Sequence, residues 1–258
     1  MTGRLSGLAG AALLVSALTL IVTWPQALVL SSQLAAHHDA QFSIWRLGWI
    51  AHALATDPWH LFDANIFHPA RHALAFSDAT MLEGLVGAPL FWAGMPPTAV
   101  YNVLLLAGFA GSGLGMFVLA RHLTGATGPA LVAATVFTML PYRIEHFMHL
   151  ELQWAMFIPL TFWALHRAVD EGSWRWGAVA GACLWLQLLA CVYYGVFAAL
   201  VLIVFVPLLL PAVPSGRRGA SVLAVGIAAV LAAALAAPFL APYASASTDL
   251  GSRTTEEI

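Results

Sequence analysis

From Gly177 to Pro211 the chain carries no charged residue at all. A helix needs about 20 apolar residues to cross the hydrocarbon of a bilayer. This run is too long for one crossing, so it must turn back. The turn is expected at Cys191-Val-Tyr-Tyr-Gly195, where two tyrosines suit the membrane interface. Composition points the same way. Hydrophobic residues make up 61% of the chain and charged residues 9%. Soluble domains run at about 45–50% and about 25%. Such a chain cannot cover its surface with polar groups in water, and its solvent is lipid. The basic residues are all arginine, and none of them forms a run that would suit nucleic acid. Cys183 and Cys191 lie in apolar sequence without metal-type partners nearby.

The other spans follow from apolar run length. Gly7 to Leu30 is the first, longer than the roughly 7–15 apolar residues of a signal peptide, and it reads as an uncleaved anchor. Ala99 to Ala120 is the second and ends at Arg121-His122. Thr127 to Tyr142 and Leu152 to Leu165 are the third and fourth. The two halves of 177–211 are the fifth and sixth, and Ala220 to Tyr243 the seventh. Met81 to Met95 is also apolar, but Glu83, Gly84, Gly87 and Pro89 make it a poor membrane helix. Counting it as a span would also reverse everything after it and spoil the positive-inside bias. With seven spans, Arg4, Arg121, Arg167, Arg175, Arg217 and Arg218 fall on one side, the cytoplasmic one. Met81 to Met95 is therefore expected to lie on the outer surface.

On this topology the inner face is basic and simple. Of the 12 acids, only Asp170 and Glu171 are inside. The expectation is one all-helical membrane domain over 1–258: a first span within 1–30, an outer loop over 31–98, six spans within 99–243, and the start of a further outer loop at 244–258, where the chain reads as truncated. Function belongs to the outer face.

The 31–98 loop has structure of its own. Phe42, Ile44, Trp45, Leu47, Trp49, Ile50 and Leu54 repeat at helical spacing, with Asp39 as the expected N-cap. Asp57-Pro58 ends the run, and Trp59, Phe62, Asn65, Phe67 and Pro69 make an aromatic turn region. The loop reads as a folded cap.

The order of these features carries a resemblance. A first span is followed by His37-His38-Asp39, an amphipathic helix, Asp57-Pro58, Asn65-Ile-Phe-His-Pro69, a surface helix, Pro97 with Asn102, and a span ending in Arg121-His122-Leu-Thr-Gly125. This order resembles the polytopic GT-C-type glycosyltransferases of bacterial envelopes, over nearly the whole chain. The resemblance implies inverting transfer of a sugar from a polyprenyl-phosphate donor to a glycan, lipid or protein acceptor, on the periplasmic or extracellular side of the plasma membrane. It implies Asp39 as the base that takes the proton of the acceptor hydroxyl.

Further candidates sit in a second outer cluster, Arg143, Glu145, His146, His149 and Glu151. On a continuous helix, Glu145 and His149 would share a face, as would His146 and His149. These three, with His38 and Asp39, could hold a divalent metal ion. The alternative is an ordinary polar rim at a span end. Arg143 could anchor the leaving phosphate, because that group needs a cation at the membrane surface. Arg71 and Arg253 are the second choices. Asp57, Asp63, Asp78 and Glu83 suit caps and turns better than catalysis. A transporter or lipid flippase, or a scaffold without catalysis, is the competing class. A transporter would favour ionisable residues inside spans and internal repeats; neither is evident.

Overall fold

The computed structural model describes residues 2–249, with side chains from 7 to 246. Among the described residues all regular structure is helical. A first helix α1 (Thr2–Val22) leads through a turn to α2 (His38–Thr56) and α3 (Met81–Trp92). Then come α4 (Pro97–Thr124), α5 (Thr127–Thr138), the short α6 (Pro141–Glu145) and α7 (Leu150–Gln153), and α8 (Phe157–Glu171). The chain closes with α9 (Trp174–Ala190), α10 (Val192–Leu209) and α11 (Ser215–Asp249).

Local chemistry sets the boundaries. Pro97 opens α4 at a position where a missing N–H costs nothing. Gly125 closes it in the left-handed region, at φ 67°, and its N–H donates to the Arg121 carbonyl at 3.1 Å. Gly172 ends α8 in the same way at φ 60°. Between α9 and α10 the chain breaks at Cys191, which is extended (φ −149°, ψ 112°). That is the break expected from the charge-free run.

Three helical stretches are long and apolar enough to cross a membrane: Pro97–Thr124, Val192–Ala212 and Ser215–Ala246. The middle one exposes Val196, Phe197, Leu200, Val201, Ile203, Val204 and Leu208. A continuous apolar face of this kind marks a membrane protein. The seven-span expectation does not carry over. The third and fourth expected spans are interrupted at Leu140-Pro141 and around Trp154-Ala155 and leave α5 with 12 residues and α8 with 15. α9 has 17. Each is shorter than the roughly 20 residues of a full crossing. Met81–Trp92, read as a surface helix, is a helix of 12 residues, too short to cross.

The helices pack in one bundle around small-residue contacts. α4 lies against α1, α5 and α8, and α9 lies against α8, α10 and α11. A Cβ at Gly177 or Gly181 would collide with the carbonyls of Ala224 and Ala228 on α11. Gly113 is similarly closed by Thr138 and Val15. These glycines let neighbouring helices approach closely.

The bundle has two chemically different ends. At one, Arg167 pairs with Glu171, and His122 Nε2 lies 3.7 Å from Asp170 Oδ2. There Arg217 donates to the Asp170 carbonyl at 2.7 Å, and Arg218 to the carbonyls of Pro211 and Val213 at 3.3 Å.

The other end carries the cap formed by α2, the 57–80 segment and α3. Leu47 and Ile50 of α2 are fully buried, and Ile50 fills the space beside Gly84. Both tryptophans of α2 pin the following loop. Trp45 Nε1 donates to Asn65 Oδ1 at 3.2 Å, and Trp49 Nε1 donates to the Leu61 carbonyl at 2.8 Å. Trp92 ties α3 back to the Ala51 carbonyl at 3.1 Å. Asn102, fully buried near the start of α4, holds the segment after α1 by donating to the carbonyls of Leu30 (2.7 Å) and Gln33 (2.9 Å). The tryptophans thus tie the segments of the cap to one another, and buried Asn102 ties the segment leading into it to the bundle.

Candidate functional site

A pocket of about 450 Å³ opens where the cap meets the bundle. It collects side chains from four separate parts of the chain. α2 contributes Asp39, Phe42 and Arg46; the cap contributes Ser77 and Asp78. The 142–152 segment gives Tyr142, His146, His149 and Glu151, and the first turns of α10 give Tyr193, Tyr194 and Phe197.

Asp39 lies in the first turn of α2, where a carboxylate is favoured by the helix dipole. It is not the N-cap. His37 takes that position, and its Nδ1 accepts from the Asp39 N–H at 3.2 Å. The helix starts two residues earlier than the apolar pattern implied, so the Asp39 carboxylate is left for the pocket. Its Oδ2 lies 3.2 Å from His37 Nδ1 and 3.4 Å from His149 Nδ1. His149 Nδ1 is also 3.9 Å from Glu151 Oε1.

Asp39, Ser43 and Arg46 follow one another at i, i+4 and i+7 and form a polar stripe on an otherwise apolar helix. Arg46 is almost fully buried and organises the pocket floor. It donates to Ser43 Oγ at 2.8 Å, to Glu151 Oε2 at 3.1 Å and to the Asp78 carbonyl. Asp78 in turn accepts from the N–H of Thr80 at 3.2 Å and of Val192 at 2.7 Å. Burial, and then the Glu151 carboxylate, push Asp78 up to about 6, against the lowering by those two N–H groups and Arg46. Behind the pocket, Glu83 is fully buried and neither carboxylate oxygen has a hydrogen-bond partner. Burial holds it well above the ordinary carboxylate range.

The residues expected from the sequence are only partly brought together. Asp39, His146 and His149 meet in the pocket. His38 and Glu145 are exposed and do not line it. The continuous helix that would have placed Glu145 and His149 on one face does not form. α6 ends at Glu145, and residues 146–149 make a turn closed by the His149 N–H on the His146 carbonyl at 3.1 Å. Among the described residues, no three His, Cys, Asp or Glu side chains are grouped to hold a metal ion.

Arg143 is turned into the protein. Its guanidinium donates to Gln153 Oε1 (3.3 Å) and to the carbonyls of Gln153 (2.9 Å), Phe137 (3.2 Å) and Gly108 (3.4 Å). It stacks 4.7 Å from the Phe109 ring centre, and burial lowers it to about 10. With its donors so engaged it braces the 141–153 turn. Arg71 is exposed on the cap, away from the pocket, and Arg253 lies outside the described residues. The arginine that reaches the pocket is Arg46. The i+7 spacing from Asp39 was the signal that could have found it.

Comparison with known proteins finds no matching family model, curated protein or solved structure.

Proposed function

We propose that the chain is a membrane glycosyltransferase of the GT-C kind, which moves a sugar from a polyprenyl-phosphate donor to an acceptor hydroxyl. The observation that carries this reading is the setting of Asp39: an uncapped carboxylate in a half-polar pocket, at the end of a membrane bundle and opposite the arginine-bearing end. A carboxylate so placed suits general-base chemistry on a hydroxyl. As the acceptor oxygen attacks the anomeric carbon, Asp39 takes its proton, the bond from that carbon to the phosphate oxygen breaks, and the polyprenyl phosphate departs with the electron pair. His149 Nδ1, 3.4 Å from Asp39 Oδ2, is placed to orient that carboxylate.

In this reading the arginine-bearing end faces the cytoplasm by the positive-inside rule, and the pocket faces outward. The test is product stereochemistry. The purified chain in lipid is given a panel of polyprenyl-phosphate sugars with mixed glycan acceptors, and the anomeric configuration of any product is read by NMR. Transfer with inversion supports the reading; transfer with retention, or no transfer across the panel, opposes it.

A further inference from the structure

We infer that the pocket takes an uncharged sugar ring as acceptor. This rests on the glycosyl-transfer reading and names the substrate class of the same site. Two observations carry it. The lining is partly aromatic: Phe42, Tyr142, Tyr193, Tyr194 and Phe197 contribute to it, drawn from α2, α6 and α10. Flat apolar faces of this kind pack against the C–H face of a pyranose while leaving its hydroxyls free. The same lining is rich in acceptors. Asp39, Asp78 and Glu151 are carboxylates, which accept hydrogen bonds from hydroxyls. The volume of about 450 Å³ lies in the range of small-molecule sites.

Charge excludes the anionic sugars. Three carboxylates face one guanidinium among the lining residues. That guanidinium is committed to Ser43, Glu151 and the Asp78 carbonyl. Above the range where histidine is protonated, the lining offers no uncommitted cation to a uronic acid or a phosphorylated sugar. A bare ammonium finds two of the three carboxylates already compensated, while each keeps lone pairs for neutral hydroxyls. Glu151 has Arg46 and Asp78 has two backbone N–H groups. A ring with many hydroxyls and no charge fits a lining of aromatic faces and acceptor oxygens.

The experiment uses the chain in lipid nanodiscs at pH 8, free of glycoside detergents. Saturation-transfer NMR measures binding of methyl glucoside, methyl galactoside and methyl mannoside. Methyl glucuronide is the anionic counterpart and choline the cationic one. At least one neutral glycoside should bind, with methyl glucuronide about tenfold weaker or worse. Tyr142→Ala should weaken the neutral ligand, and Asp39→Asn should narrow the gap to the glucuronide. Glucuronide binding as tightly as glucoside, choline binding more tightly than every glycoside, or no glycoside binding at all would overturn the assignment. If these fail while transfer still depends on Asp39, the acceptor class alone is wrong. If glycosides bind as expected while transfer ignores Asp39, the reaction is wrong.

Discussion

Asp78 in the cap accepts a hydrogen bond from the backbone N–H of Val192, 114 residues further along the chain, at 2.7 Å. The bond joins the cap to the first turn of α10 and closes the pocket floor. It satisfies a backbone donor at a helix start, where no intrahelical partner exists. The cost is a nearly buried carboxylate beside Glu151.

That cost makes stability depend on pH. Asp78 binds its proton more tightly in the folded chain, where it titrates at about 6, than an unperturbed aspartate does at 3.8. Its contribution to stability is therefore fully present below about pH 4 and is lost as pH rises through about 6. Thermal melting of the wild type against Asp78→Asn across pH 4–8 isolates this group from the histidines. The wild type should lose ground to the variant between pH 4 and 7. A constant difference over that range would contradict the assignment.

Glu83 should behave as a neutral core group. Glu83→Gln keeps the volume and removes the titratable proton, so the melting midpoint at pH 7 should correspond to a change within about 1.5 kcal/mol. Glu83→Lys forces an unpaired cation into the same fully buried site and should prevent folding, visible as loss of the monodisperse peak in size-exclusion chromatography. Equal tolerance of both would mean that the site is not closed.

The contact of α9 with α11 leaves no room at Gly177 or Gly181. Obstructing atoms are backbone carbonyls, which cannot rotate away. Gly177→Ala and Gly181→Ala should each destabilise the bundle by more than an ordinary surface change, about 1–3 kcal/mol on the scale of overpacked cores. Gly226→Ala on α11, where nothing approaches, is the control and should be neutral or slightly favourable.

Orientation is tested by cysteines on a background with Cys183 and Cys191 replaced. Thr56 and Ser215 are both exposed, at opposite ends of the bundle. Thr56→Cys should react with an impermeant thiol reagent added to intact cells, and Ser215→Cys should not. Labelling of Ser215→Cys from outside would reverse the orientation.

Much of the architecture was legible in the chain. Run length and the missing charges marked α10 and α11, and the interfacial tyrosines located the break beside Cys191. The period of Trp45 and Trp49 marked α2, and the aromatic residues after Asp57 marked a folded cap. What periodicity could not show was where short helices stop. Pro141 cuts short the third expected span, and the 146–149 turn breaks the continuous helix on which Glu145 and His149 would have shared a face; together they decided which way Glu145, His149 and Arg143 point. The pocket itself depends on contacts between distant segments, such as Arg46 with Glu151 and Asp78 with Val192. These have no local signature beyond the polar stripe of Asp39, Ser43 and Arg46. Arg143 shows why charge alone misleads: beside Gln153 and Phe109 it has enough partners to be buried, so it does not reach the site.

The central claim is that Asp39 is the base. Asp39 does not cap α2, because His37 does, so Asp39→Asn removes the charge without removing the helix start. The direct measurement is the single-turnover rate of sugar transfer by purified Asp39→Asn in lipid, beside the wild type, with the melting midpoint recorded for both. The account predicts an unchanged midpoint and a rate lower by a factor of about 10² or more, the scale of losing a general base. A rate near that of the wild type from a folded Asp39→Asn protein would contradict it.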